Sequence, residues 1–219
     1  PEGLTGLQLS FNFTVRTFRL GVISMKEILE RRSIRKYENK ALSLDLLKKI
    51  IGAALKAPSA KNRQPWKFIV LVSEEKDKFV QVMRQGIERE RVTKVLLPNS
   101  SNYISAAKHT ATIIEQAPVL IVVCNPSGHS LYEDLTPEEK IYERADMQSI
   151  GAAIQNMLLE ATSLGIGTLW ICDTYFAYDD LKDYFCDKGE IIAAVALGYP
   201  AEHPSERPRK DFDEVVEFQ

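Results

Sequence analysis

The sequence predicts an α+β sandwich, helices packed around a central sheet, from three observations. Several segments carry apolar residues at helical spacing, among them Met25 to Arg32, Ser43 to Ala57 and a long stretch between Pro137 and Gly165. Short β-rich runs stand apart from them: Trp66 to Val72, Val119 to Val123, Thr168 to Cys172 and Ile191 to Leu197. Helices and strands do not alternate in regular βαβ units, so a doubly wound parallel sheet is not the expected solution.

Taken in order, Met25 to Arg32 reads as a short helix, and Ser43 suits the N-cap of a second one that runs until Pro58 stops it. Leu44, Leu47, Ile51, Ala54 and Leu55 are the apolar face expected for that second helix. Trp66 to Val72 reads as a buried strand, followed by a charged helix from Glu74. A helix over Ser101 to Glu115 leads through Pro118 into a second buried strand, and the turn-rich stretch from Asn125 to Pro137 reads as a loop or lid. In the long helical pattern that follows, Ile150, Ile154, Met157, Leu158 and Ala161 share one face, and Gly151, Ala152 and Ala153 allow close approach. A short helix near Asp179 separates the last two strands.

The chain has 219 residues, 45% hydrophobic and 26% charged, enough for one compact domain that buries a sizeable ligand. A formal net charge of -2 gives no general electrostatic reason to approach nucleic acid or an acidic membrane. No apolar run approaches the roughly 20 residues that span a bilayer. Cys124, Cys172 and Cys186 are too few and too scattered for a disulfide scaffold or a Cys-x-x-Cys metal site, which fits a reducing cytoplasm. Met25-Lys26-Glu27-Ile28-Leu29 reads as a natural start, which makes residues 1–24 an extension (a misassigned start, an expression remnant or a mitochondrial-type presequence) and 25–219 the domain.

Arg31-Arg32-Ser33-Ile34-Arg35-Lys36-Tyr37 places four cations and a serine hydroxyl within seven residues. Arginine offers paired donors that suit a phosphate, and serine adds a neutral one; a solvated basic turn is the alternative. Pro58 to Trp66 is a polar loop bracketed by prolines, in which Ser59, Asn62 and Gln64 offer donors and acceptors suited to the edge of a heterocycle. Lys61 or Arg63 could balance negative charge there, unless the loop is only a rigid turn with Trp66 anchoring the core. Gly165-Ile166-Gly167 feeds Thr168 to Cys172 without a G-x-G-x-x-G fingerprint, so a dinucleotide-binding Rossmann unit is not supported. Trp170 and Ile171 suit either a core strand or an aromatic cofactor, and Arg207-Pro208-Arg209-Lys210 either a surface tail or a second phosphate clamp. His109, His129 and His203 are widely spaced, and Cys172 reads as a buried small hydrophobe rather than a nucleophile. A bound cofactor carrying the reactive atom is therefore the economical reading.

Taken together, Arg31 to Arg35, Pro58 to Trp66, Gly165 to Ile171 and Gly198-Tyr199-Pro200 followed by Arg207 to Lys210 resemble the nitroreductase family in order and spacing, from about Met25 to the end. The resemblance implies a nitroreductase-like α/β sandwich with a mostly antiparallel sheet, an intertwined homodimer, and FMN at the subunit interface. It implies that Arg31, Arg32, Ser33 and Arg35, with Arg207 and Arg209, hold the phosphate and ribityl chain. Pro58, Ser59, Ala60, Asn62 and Gln64 would approach the flavin from the other subunit, and Leu169, Trp170 and Ile171 would lie along its ring. Cys172 stands where many relatives have glycine. The implied activity is ping-pong reduction of nitroaromatics, quinones or similar acceptors with NAD(P)H. Two other readings are a specialised reaction such as reductive dehalogenation, with Leu131 to Pro137 as a lid, and a flavin-binding sensor without turnover.

Overall fold

The computed structural model describes residues 23–185 and 187–219. The reading of residues 1–24 as an extension falls almost wholly outside them, as does Cys186. Helices α1 (Lys26–Glu30) and α2 (Leu44–Ala54) come first, then strand β1 (Lys67–Val72) and helices α3 (Ser73–Thr93) and α4 (Ile104–Gln116). Strand β2 (Val119–Asn125), the long helix α5 (Pro137–Ser163), strand β3 (Gly167–Ile171), helix α6 (Tyr178–Tyr184), strand β4 (Glu190–Gly198) and helix α7 (Phe212–Val215) complete the chain.

The four strands form one antiparallel sheet in the order β1-β2-β4-β3. β2 and β4 are central and buried along their length, as continuous apolar runs predict. Successive side chains leave a strand on opposite faces, and the two faces meet different helices. Ile121, Val123, Val195 and Leu197 pack against α2 and α5 residues such as Ile50, Ile150, Ile154 and Met157. Leu120, Val122, Ala194 and Ala196 pack against Phe79, Met83, Ile87, Ala111 and Ile114 of α3 and α4. This is the expected sandwich with helices on both sides.

Local signals fix the helix ends. The Ser43 side chain accepts a hydrogen bond from the Leu46 N–H at 3.3 Å, so it caps α2. Thr136 and Glu139 form a reciprocal capping box at the start of α5, with Pro137 in the first turn. Gly165, at φ 71°, ends α5: its N–H bonds the Thr162 carbonyl and the Ile166 N–H reaches back to Ala161.

Three sequence expectations need correction. The face α2 buries is Leu47, Ile50 and Ala54, while Leu44 and Leu55 are exposed, because the helix leans on α5 along a single i, i+3, i+7 stripe. β1 is an edge strand, with Val70 and Val72 open, rather than a buried one; Trp66, just before it, is buried as expected. Cys172 lies just past the end of β3 and is exposed, outside the alternation that buries Ile171.

Candidate functional site

The basic segment is built onto the sheet by its backbone. Ser33 bridges Thr168 in parallel, and the Ile34 N–H donates to the Thr168 carbonyl at 2.9 Å. Ile34 is buried over Gly167, where a Cβ would come within 2.9 Å of its side chain, so only glycine lets the segment lie this close to β3. Further on, Tyr37 bridges Pro200, the Glu38 N–H donates to Tyr199 and the Ala201 N–H to Lys36. The chain before α2 and the chain after β4 are thereby laced together.

That lacing brings the two ends of the predicted clamp together. The Arg31 guanidinium is pushed to a lower pKa by burial, then by repulsion from Arg209 and Arg32. Neither Arg31 nor Arg209 makes an ion pair among the described residues. Arg209 only turns back onto the carbonyls of Arg207 and Pro208, at 2.9 and 3.2 Å. Arg32 bends the other way, bonding the carbonyls of Leu29 and Arg31 and lying 3.8 Å from Glu206. Arg35 is exposed; its guanidinium lies 3.3 Å from the Ser33 carbonyl and its backbone N–H donates to Glu202. Arg207 is likewise exposed. Arg31 is partly buried and Arg209 exposed, and two neighbouring cations without a carboxylate partner among the described residues suit a phosphate. A cleft of about 340 Å³ opens alongside, lined by Arg32, Ile34, Gly167, Pro200, Glu202 and His203 among others.

Along β3 the predicted ring contacts divide. Leu169 and Ile171 point into the core with α3 and α4, so only their backbone faces outward on the side of α5. Trp170 is 39% exposed, with its ring 3.8 Å from where a Cβ on Gly151 of α5 would sit. The Cys172 thiol, two residues on, is pushed up in pKa by partial burial and by Asp173.

The 58–66 loop is tightly folded. Lys61, Asn62 and Gln64 have φ of 52°, 54° and 51°. None is glycine, and each such residue costs about 1 kcal/mol or more. The Ser59 Oγ accepts from the Gln64 N–H at 3.0 Å, and the Asn62 and Arg63 N–H groups close short turns onto Ser59 and Ala60. The Gln64 amide reaches Asn62 Oδ1 at 3.4 Å. From α5, Ser149 accepts from the Ala60 N–H at 3.2 Å and Asp146 forms an ion pair with Arg63. The Arg63 guanidinium sits 4.9 Å from the centre of the Tyr142 ring. The sequence offered Arg63 as one of two cations to balance negative charge at the ring; its partner is Asp146. Tyr142, Asp146 and Ser149 were not anticipated, although their i, i+4, i+7 spacing on a long helix is a signal that a polar-stripe search would find. A cleft of about 590 Å³ opens between this loop (Gln64, Pro65), the turn at Pro126 to His129, and Glu139 on α5.

A mixed sandwich with neighbouring cations at one end of an aromatic edge strand, and a strained polar loop on the long helix, is a scaffold that suits a phosphate-bearing planar cofactor. The family model described as "Nitroreductase family" matches residues 28–199. The chain belongs to the nitroreductase family. It is 32% identical over 203 residues, 89% of this chain and 88% of the other, to a protein of Methanothermobacter thermautotrophicus that carries the name NADH dehydrogenase/NAD(P)H nitroreductase. An iodotyrosine deiodinase of Haliscomenobacter hydrossis is 28% identical over 78% of this chain and 77% of its own. Among solved structures, a BluB-like flavoprotein from Clostridium difficile superposes with a TM-score of 0.73 at 31% identity, covering 89% of this chain and 97% of that one. A nitroreductase in complex with FMN from Desulfovibrio desulfuricans gives 0.65 at 25% identity, covering 89% and 95%.

Proposed function

We propose that the protein holds FMN noncovalently and uses NAD(P)H to reduce nitroaromatics, quinones or related electron-poor acceptors in a ping-pong cycle. The observation that carries this reading is the Arg31–Arg209 cation pair, which has no carboxylate partner among the described residues and lies at the end of β3 that leads to Trp170. The donor set fits the cofactor: Arg31 and Arg209 take the phosphate, with Ser33, Arg32, Arg35 and Arg207 around it. Leu169 and Ile171 offer backbone atoms and Trp170 an aromatic face to the ring. Pro58, Ser59, Ala60, Asn62 and Gln64 serve the flavin of a second subunit.

Bound FMN would supply the hydride-accepting and electron-passing chemistry between nicotinamide and acceptor. The chain orients both substrates over one ring face, and its cations stabilise negative charge on the cofactor. Arg63 is committed to Asp146, which leaves Lys61, without an ion pair among the described residues, as the loop cation for that role. The homodimer is supported by apolar groups left open on different elements, among them Ile28 and Leu29 on α1, Val70 and Val72 on β1, and Phe218 near the carboxyl end. The free thiols of Cys124 and Cys172 suit a reducing cytoplasm, and among the described residues no helix is long and apolar enough to cross a membrane. Every residue of the proposed site lies within 25–219, the proposed domain; residues 1–24 would be dispensable for it.

Reductive dehalogenation is the second reading. It is favoured by the likeness to the deiodinase and by the 126–136 loop, which is docked on α6: the Leu131 N–H donates to the Tyr178 hydroxyl at 3.0 Å, and the Tyr132 hydroxyl donates to Asp179 at 3.1 Å. The test is an absorbance spectrum of the purified protein followed by anaerobic titration with NADH and NADPH. The expected result is a flavin spectrum that bleaches with one or both donors and returns with a nitroaromatic or quinone. Return with an iodophenol alone would select dehalogenation. Bound FMN that no nicotinamide, thiol or ferredoxin reduces would end the enzyme reading in favour of a binding or sensor module.

A further inference from the structure

Helix α5 turns one polar stripe toward the 58–66 loop, and each member of it touches the loop. Tyr142 lies under the Arg63 guanidinium, with the Lys61 ammonium 5.4 Å from its ring centre. Asp146 pairs with Arg63, and Ser149 takes the Ala60 N–H while donating its own proton to the Ala145 carbonyl at 2.7 Å. Asp146 is only 2% exposed, and its Oδ1 has no hydrogen-bond partner among the described residues.

A carboxylate at this position is a poor choice for the stability of α5. One and two helical turns on, the positions of Ile150 and Ala153 are filled by core residues, and a buried ion pair generally stabilises a fold no better than apolar side chains of the same volume. What Asp146 does accomplish is local: it draws Arg63 inward, at the centre of three residues whose left-handed backbone needs to be held by its surroundings. Ser149 grips the same loop two residues after its opening proline, through the N–H of Ala60. The two contacts bracket Lys61 and Asn62.

We infer that Asp146 and Ser149 are positioning residues that hold the 58–66 loop in its left-handed form, through Arg63 and the Ala60 N–H, and so fix where Ser59, Asn62 and Gln64 meet the flavin. This rests on the FMN reading above. Neither residue touches the cofactor; each acts through the loop. Geometry of this kind is what keeps a first contact shell rigid, and its loss loosens binding without removing any contacting side chain.

The test uses the full chain loaded with FMN. Asp146→Asn keeps the volume and an acceptor oxygen while removing the charge; Ser149→Ala removes the acceptor for Ala60. Each should weaken FMN binding about tenfold, alter the visible circular dichroism of the bound flavin, and speed tryptic cleavage after Lys61 and Arg63 in protein stripped of FMN. Ser149→Thr retains the hydroxyl and should restore all three. Ile114→Val, on the opposite face of the sheet, should lower the melting temperature while leaving affinity, dichroism and cleavage unchanged. If the Asp146→Asn and Ser149→Ala variants bind FMN with wild-type affinity, dichroism and cleavage pattern, the positioning role is overturned and the FMN reading stands. If Asp146→Asn does not fold, Ser149→Ala decides alone. Wild-type protein that takes up no FMN overturns the reading, and the inference with it.

Discussion

The Arg31–Arg209 clamp and the 58–66 loop are held in opposite ways. The clamp is assembled by backbone pairing against β3 and the 199–201 segment, and its side chains repel one another. The loop has little regular backbone pairing and several strained residues, and it is held by side chains: an inward ion pair, a serine acceptor and a tyrosine face. A site that repels itself is completed by an anion; a site that is cross-braced by its own side chains presents a fixed shape. On the proposed function, one end would supply affinity and the other orientation.

The largest break in that comparison is at the clamp. Arg31→Ala with Arg209→Ala removes two charge-assisted donors, worth about 1.5–3 kcal/mol each, so FMN affinity should fall by about 10²- to 10⁴-fold. Protein stripped of FMN should melt no lower than wild type, because the substitution relieves repulsion. Isothermal titration with FMN and thermal melts of the stripped protein measure the two effects. A matching drop in both would mean that the arginines are structural.

Much of the scaffold was legible because short-range rules decide it. Ser43 caps α2 and Gly165 ends α5 where the sequence says they should, and the apolar stripe Ile150, Ile154, Met157, Leu158 and Ala161 is buried as spaced. The errors have a common cause in long-range packing. A continuous β-rich run looks the same at a sheet edge as at its centre, so Val70 and Val72 gave no sign of exposure. Leu44 and Ile50 each fit a helical stripe, and only the approach of α5 chooses between them. At the site, residue types were legible and geometry was not. The basic run suggested an anion site, but nothing local shows that Arg32 folds back onto the carbonyls of Leu29 and Arg31, or that Lys61 and Gln64 adopt a conformation favoured by glycine. Asp146 went unread because its partner is a loop arginine far away in sequence.

At the loop the expected order of effects reverses. Arg63→Ala leaves Asp146 buried without its counter-ion, which costs about 3–5 kcal/mol of folding stability and roughly 10 °C in melting temperature for a chain of this size. FMN affinity should fall less than it does in the clamp double variant. Replacing the pair together, Arg63→Met with Asp146→Leu, should recover most of the stability, since a buried ion pair and a well-packed apolar pair are near equivalent, but should not recover affinity. Recovery of both would mean that any filling of the space serves, and the distinction between clamp and loop would lose its basis.

The smallest effect sharpens the comparison by acting on the clamp without touching a charge. At Gly167 an added Cβ would sit 2.9 to 3.0 Å from three atoms of the buried Ile34 side chain, and the glycine φ is not left-handed, so alanine there is opposed by contact alone. Gly167→Ala should cost about 1–3 kcal/mol, as overpacking generally does, by lifting residues 33 and 34 off Thr168. Because that pairing carries Arg31 toward Arg209, FMN should bind about tenfold more weakly even though every arginine remains. Ile34→Ala leaves a gap and costs stability on its own. Combined with Gly167→Ala it should cost less than the sum, since the new methyl occupies part of the space the isoleucine gave up. A double-mutant cycle on FMN affinity measures that coupling. Simple additivity would show that the clamp does not depend on its seat against β3, and that its arginines find the phosphate by their own flexibility rather than by the register of the sheet.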